Sequence, residues 1–545
     1  MSARSMVLGA VAATLACGSS GQSNLERWAS LIRGDSSPAL KVPPAGKFAS
    51  VPKATCGALD RPETGLQGQT PLADRQSGAT TQAYNCNLEK VGQFEGEGAS
   101  WQLTWFDHCA YYDTANNNTP APQHPGTVVV DVSDPEHPKA TDYLTAHAML
   151  DPWESLKVNP QRKLLGATKG SGILFGGSGG GLQVNPEDKW FSFYDISDCA
   201  HPKLLSDVAI DNHIGHTGDF SADGRTYYGT TTLKQGITAM DVSDPTKPTK
   251  ILQDFTWTLH DVFSNSDGTR LYGTLIAVAG PNVNGLVILD TSDIQKRVAN
   301  PAIREVSRLT WLDGRAAQNP EPITVKGKPY ILFTDESAGR AQDCAQGFPA
   351  YGLARIIDIS DEKKPAVVSK LALETHDPAN CNTTLADVAN YPGFEYDAHY
   401  CTVDNPANAK YAACSYFQSG MRVFDISDVS NPKEVAYYKP PARRLEYKAA
   451  SNINLPLFGS HFDHTADWSS ANSRFVWHGS ELHLWTTSQD NGFQVLRFTN
   501  GVAKDTTLSN SDSGGCSSAG STFALVALGL LPLLHRRRWK RISSG

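Results

Sequence analysis

The sequence predicts an all-β fold: a single β-propeller of seven four-stranded blades, closed by a strand from the N-terminal side. Three observations carry that expectation. A short motif recurs six times in 545 residues. Between its copies, the pieces follow the order of four short strands. The composition also suits β structure: aromatics are 9%, charged residues only 19%, and Gly (46) and Pro (32) supply turns.

The clearest copy of the motif is VVVDVSDPEHPK at 128–139. It returns as SFYDISDCAHPK (192–203), TAMDVSDPTKPT (238–249), VILDTSDIQKR (287–297), RIIDISDEKKP (355–365) and RVFDISDVSNPK (422–433). A β-branched and aromatic run precedes Asp131, Asp195, Asp241, Asp290, Asp358 and Asp425. Near-continuous apolar residues fit a strand buried on both faces. The Asp-x-Ser-Asp that follows can bond nearby amides in a turn, and the Pro then ends the pairing. A residue needed in every unit serves the unit's geometry, so these six Asp are read as structural. Their spacing, roughly 45–70 residues, fits a blade of roughly 40–50 residues with loop insertions in the longer units.

The third unit shows the order of strands: HTGDFSADG (216–224), RTYYGTTT (225–232), ITAMDVSD and KPTKILQDF (247–255). Gly492–Phe498 forms a seventh unit, with Arg497 at the marker position and no fourth strand after it. CNLEKVGQF (86–94) resembles PKEVAYY (432–438), a fourth-strand stretch, and is the natural strand to complete that blade and cover its open edge.

These residues resemble the LVIVD-repeat β-propeller proteins, whose repeat is an aliphatic strand ending in Asp-aliphatic-Ser-Asp-Pro. The stretches 84–102, 395–406, 420–441 and 485–501 look like an exported bacterial branch of them. The resemblance implies an architecture, and function resides in sites grafted on folds.

Both ends read as addresses. Residues 1–17 have Arg4, the apolar run Met6–Ala16 and small residues at its end, the pattern of a secretory signal peptide. Cys17 is either a lipoprotein cysteine or lies beside a simple cleavage site. At the other end, GGCS (514–517) precedes FALVALGLLPLL (523–534) and Arg536–Arg538. That arrangement resembles the MYXO-CTERM sorting tail, which implies processing near Cys516 and anchoring at the cell surface or outer membrane of a Gram-negative bacterium. A plain C-terminal membrane anchor is the other reading. The chain thus divides into a signal peptide (1–17), an irregular arm (18–83), the propeller (84–500), a polar linker (501–515) and a sorting or anchor segment (516–545). Membrane contact is expected only through the terminal anchor, and the protein is expected to be a monomer.

Eight further cysteines in an exported chain point to disulfides. Cys401 and Cys414 stand on neighbouring strands. Cys56 with Cys86, and Cys344 with Cys381, are the next candidate pairs. Cys109 and Cys199 remain, in different units.

The histidines carry the sharper chemical signal. His216 and His260 open first strands, and His147 and His399 sit at similar places in their units. His464, with His461 nearby, is the seventh unit's candidate. The fifth unit has Glu321-Pro-Ile-Thr-Val where His is expected. First strands line a propeller's channel, so these rings would gather at one mouth and could bind a transition metal. The alternative is that each His bonds a neighbouring blade or Asp and fixes blade packing.

A net charge of −8 offers no basic face for nucleic acid. There is no His-Glu-x-x-His, and the one Gly-x-Ser-x-Gly match, Gly176–Gly180, falls inside the glycine run GSGILFGGSGGG (170–181), which reads as an insertion at a blade edge; this argues against common hydrolase and metalloprotease patterns. Two functions are left. One is a surface-anchored binding or scaffold module, presenting insertions near 151–190, 311–353, 374–396 and 440–463 to a protein, glycan or small ligand. The other is an exported metal-dependent enzyme with a His-lined site at the channel mouth. Convergence of four or more His without Asp or backbone partners favours the enzyme; outward-pointing or paired His favour the binder.

Overall fold

A computed structural model describes residues 48–114, 122–170, 187–230, 236–276, 284–388, 394–444, 448–454 and 464–503. The signal segment with Cys17, most of the glycine run 170–181, His461 and the C-terminal segment with Cys516 lie outside them.

Seven antiparallel sheets follow one another along the chain. They are numbered blades 1 to 7 in chain order. Their first strands are Leu103–Phe106, Lys157–Asn159, Gly218–Phe220, Leu259–Ser264, Ala317–Val325, Cys401–Val403 and Arg474–His478. The third strands of blades 1 to 6 each end on a marker Asp: Thr127–Asp131, Trp190–Asp195, Ile237–Asp241, Gly285–Asp290, Ala354–Asp358 and Met421–Asp425. Val128, Val129 and Val130 are fully buried. Val129 packs toward Leu165, Ala167 and Tyr194 of blade 2. Val128 and Val130 pack toward Trp485, Phe493 and Val495 of blade 7. Burial on both faces is what the unbroken apolar run anticipates. In each of these six blades the marker Asp accepts a bond from the amide of the Ser two residues on, at 2.7–2.9 Å. That bond closes the turn into the fourth strand.

The ring closes through the N-terminal side. Leu88–Phe94 pairs antiparallel with Gly492–Phe498 as the fourth strand of blade 7. Just before it, Tyr84–Cys86 adds a fifth strand to blade 6 against Lys433–Lys439. The sequence reading did not anticipate that second pairing. Asn87 makes the crossing between the two blades. Its φ is 57°, a left-handed conformation Asn tolerates better than most residues. Its amide donates to the carbonyls of Thr55 and Val435.

The arm is also tied down by charge. Arg422, fully buried in blade 6, bonds Glu63 of the arm at 2.6 Å and Glu434 at 2.9 Å. Four disulfides join Cys56 to Cys86, Cys109 to Cys199, Cys344 to Cys381 and Cys401 to Cys414. The first staples the arm to the fifth strand of blade 6, just before the closing strand, and the second links blade 1 to blade 2. Such a set belongs to an oxidising, exported compartment. Among the described residues, no helix is long and apolar enough to cross a membrane.

Candidate metal centre on the propeller axis

A latch repeated between blades builds the site. The second strands of blades 3, 4 and 5 end near Thr230, Thr274 and Thr334. Each hydroxyl donates to a backbone carbonyl of the next blade: His260 at 2.7 Å, Gln318 at 3.4 Å and His399 at 2.6 Å. The residue after each of these donates its amide to the hydroxyl of its own blade: Asp261 to Thr274, Asn319 to Thr334 and Tyr400 to Ser415. Blade 2 has a related pairing, Thr168 amide to Ser155 hydroxyl at 2.9 Å. In blade 3 the Thr230 amide bonds the Thr217 carbonyl at 2.9 Å. The residues in register before these contacts are therefore Glu154, His216, His260, Gln318 and His399, in blades 2 to 6.

This register corrects the sequence reading at two blades. In blade 2 the axial residue is Glu154, not His147. In blade 5 it is Gln318, and Glu321 stands three residues further along the strand. Of the five candidate histidines, the structure brings together His216, His260 and His399. His147 lies half-exposed between blades 1 and 2, with its Nδ1 2.6 Å from Asp207 and its ring stacked 3.7 Å from that of Trp190. His464 is buried elsewhere, with Nδ1 2.7 Å from Oδ2 of Asp490. Packing and an Asp partner account for both positions.

Two carboxylates complete the axial set. The Nε2 atoms of His216 and His260 face each other at 3.0 Å. Oε2 of Glu154 is 3.5 Å from each of them. Nε2 of His399 lies 3.1 Å from Oε1 of Glu154 and 3.4 Å from Oε2 of Glu336. Oε1 of Glu336 is 3.5 Å from His260. Donors placed about 2.0–2.2 Å from a common ion are about 3.0 Å apart at a right angle and about 3.4 Å apart at the tetrahedral angle. The observed edges, 3.0–3.5 Å, lie close to these two separations.

All five side chains are buried. Oε2 of Glu154 and Oε1 of Glu336 have no hydrogen-bond partner among the described residues. A buried carboxylate oxygen left so is costly unless a cation meets it. Nδ1 of His399 is 2.5 Å from the Ser470 carbonyl; donation to that carbonyl fixes the ring and aims Nε2 at the carboxylates, the usual support of a ligating His. Burial opposes charge on His399, but Glu154 and Glu336 outweigh it and hold its pKa up at about 9. Burial likewise opposes charge on Glu154, and the three imidazoles, led by His260, outweigh it and hold its carboxyl low. On Glu336 burial wins and pushes the carboxyl up. Burial pushes His260 down to about 3, so its ring is neutral. The carboxylates thus balance a proton on His399, the charge that a bound cation would supply.

An aromatic cap covers the end where the first strands begin. The Trp101 ring is 5.4 Å from those of His399 and Trp153, and the Phe417 ring is 5.1 Å from His399 and 4.7 Å from Phe394. Trp153, Phe394 and Phe417 have φ values of 49°, 58° and 32°. Left-handed backbone is unfavourable for such bulky residues and concentrates at functional sites. Along the axis lies a cavity of about 430 Å³ that first strands of all seven blades line, among them Trp105, Lys157, Asp219, Glu321 and Arg474. Lys157, Asp219 and Glu321 each follow an axial donor or Gln318 by three residues, about 10 Å along a strand. The cavity is therefore the layer beneath the donors. Burial pushes Asp219 up to about 7 and Glu321 up to about 8.

Sequence reasoning missed Glu154 and Glu336 because neither sits in a repeated motif. A signal did exist: Glu336 falls two residues after the latch Thr334, and Glu154 precedes Ser155, the counterpart of Thr217 in the next blade.

The LVIVD repeat model matches residues 409–439, which span blade 6 from its second strand to its fourth. The protein is thus a seven-bladed β-propeller that carries an LVIVD repeat in blade 6. Among curated proteins none matches the chain. A solved structure titled Kuenenia stuttgartiensis Hydrazine Synthase is similar at 12% identity and a TM-score of 0.45, over 74% of this chain and 97% of that one.

Proposed function

We propose that this propeller is an exported metalloprotein, held at the cell surface by its terminal segment, whose axis binds a first-row transition metal for chemistry on a small molecule. The observation that carries the reading is the convergence of His216, His260 and His399 on Glu154 and Glu336, with two buried carboxylate oxygens unsatisfied. Mixed imidazole and carboxylate donors suit Mn, Fe, Co or Zn, and also Cu. The aromatic cap excludes water from one side. The axial cavity has room for a small ligand one layer from the donors. Three histidines with two glutamates, rather than four or more histidines, form the set. The binding-module reading draws support only from the tail and the variable loops, and it does not account for the buried donors.

The test uses the full chain, purified without a polyhistidine tag and with its disulfides intact. After dialysis against a chelator, Co²⁺ and Zn²⁺ are added in turn. The expected result is visible Co²⁺ absorption that Zn²⁺ displaces, with a rise in Tm on loading; Zn²⁺ at about a hundred times its Kd adds about 2.7 kcal/mol. His260→Ala abolishes both responses. A wild-type protein that shows no Co²⁺ absorption and no rise in Tm overturns the proposal.

A further inference from the structure

The axial donors do not surround a single point. They fall into two groups of three that share Glu154: one with His216 and His260, the other with Glu336 and His399, each group's ligand atoms lying within 4.8 Å of one another. The two oxygens of Glu154 face opposite ways. Oε2 is 3.5 Å from His216 and from His260, while Oε1 is 3.1 Å from His399. Glu336 divides in the same sense: Oε1 is 3.5 Å from His260 and Oε2 is 3.4 Å from His399. A carboxylate serving one ion turns one or both oxygens to the same place. Here both carboxylates turn one oxygen to each side, which is how a carboxylate bridges two ions about 3.5–4 Å apart.

We infer that the axis holds two divalent first-row ions bridged by Glu154 and Glu336. This deepens the metal reading above and rests on it. The first ion takes Nε2 of His216, Nε2 of His260 and Oε2 of Glu154, with Oε1 of Glu336 on its far side. The second takes Nε2 of His399, Oε1 of Glu154 and Oε2 of Glu336. The Gln318 amide, 3.1 Å from Nε2 of His399, stands beside the second ion. Its nitrogen and oxygen are exchanged by a simple flip, which would turn the carbonyl toward the metal. Two divalent ions against two carboxylates leave positive charge in a buried site. The ligand class that completes it is a small oxygen anion, hydroxide or a substrate oxyanion, shared by the two ions.

The test counts ions. The chelator-stripped full chain is titrated with Mn²⁺ or with Zn²⁺, and bound metal is measured per chain after gel filtration. Two equivalents are expected. The electron paramagnetic resonance signal of isolated Mn²⁺ should fall as the second equivalent binds, because the bridged spins couple. His399→Ala is expected to halve the stoichiometry and to keep an uncoupled Mn²⁺ signal. His216→Ala tests the other half in the same way, and wild-type stoichiometry decides alone if neither variant folds. Saturation of the wild type at one equivalent, with an uncoupled signal, overturns the pair and leaves the metal reading standing. Binding of no metal overturns both.

Discussion

Glu321 provides a test of the axial cavity that needs no metal. Its side chain is buried on the first strand of blade 5, and Oε2 has no hydrogen-bond partner among the described residues. Burial raises its carboxyl from 4.5 to about 8. Lys157 works against that rise and Asp219 adds to it. The folded state therefore holds the Glu321 proton to higher pH than the unfolded state does. Between pH 4.5 and about 8 the native chain binds more protons, so stability falls as pH rises through that window and is flat above it. At about 1.4 kcal/mol per pH unit of displacement, the total loss is of order 5 kcal/mol. Glu321→Gln keeps the shape and removes the titration. Its stability relative to wild type should be near zero at pH 5 and should grow to several kcal/mol in its favour by pH 9. Urea unfolding of both proteins at pH 5, 7 and 9, with disulfides intact and salt fixed, reads the difference. Asp219, which burial raises to about 7, titrates in both proteins and largely cancels in the comparison. A difference that is the same at all three pH values would refute the assignment of a buried, protonated Glu321.

Arg422→Ala removes the cation bonded to both Glu63 and Glu434; it should cost about 3–5 kcal/mol, read by denaturant unfolding, and should expose the arm to limited proteolysis. Replacing Cys109 and Cys199 together by Ser opens a loop whose ends are 90 residues apart. It should cost about 4 kcal/mol, on the chain-entropy account of a long closed loop, seen as a lower urea midpoint than that of the wild type.

How much was legible in the sequence follows from which residues repeat. The third strands and their turns announce themselves because six copies of Asp-x-Ser-Asp make the same local bond, from a Ser amide to the marker Asp. The closing strand at Leu88–Phe94 was legible because a fourth strand has its own pattern. The fifth strand at Tyr84–Cys86 was not. It is three residues long, below the length at which alternation can be read, and it is held by Cys86 and the arm rather than by a repeated motif. At the site, His216, His260 and His399 were found because each opens a first strand. Glu154 precedes its strand Lys157–Asn159 by a short irregular stretch. Glu336 follows the second strand of blade 5, across that sheet from Ala316, whose carbonyl accepts its amide. The pairing of neighbouring strands brings it to the axis, and no linear spacing displays that.

The register of the latch turns repetition into an argument about function. A residue that serves blade geometry must recur, since every blade needs the same turn and the same contact with its neighbour. The marker Asp recurs, and so does a Ser or Thr on the second strand, opposite the residue that follows the axial one: Thr168, Thr230, Thr274, Thr334 and Ser415 stand there and bond the first strand or the next blade's backbone. Between those recurring hydroxyls the axial residue itself changes from blade to blade: Glu154, His216, His260, Gln318, His399. Three residues on, the cavity layer changes again: Lys157, Asp219, Phe263, Glu321, Thr402. Seven equal blades would surround the axis with seven equal side chains, and no ion takes seven imidazoles at the distances of first-row metals. Divergence at this register is what allows unlike donors to meet, and carboxylates buried against imidazoles are too costly to persist there without a charge to receive them. The latch therefore explains both halves of the molecule: it holds the ring by sameness, and it delivers unlike side chains to one place on the axis.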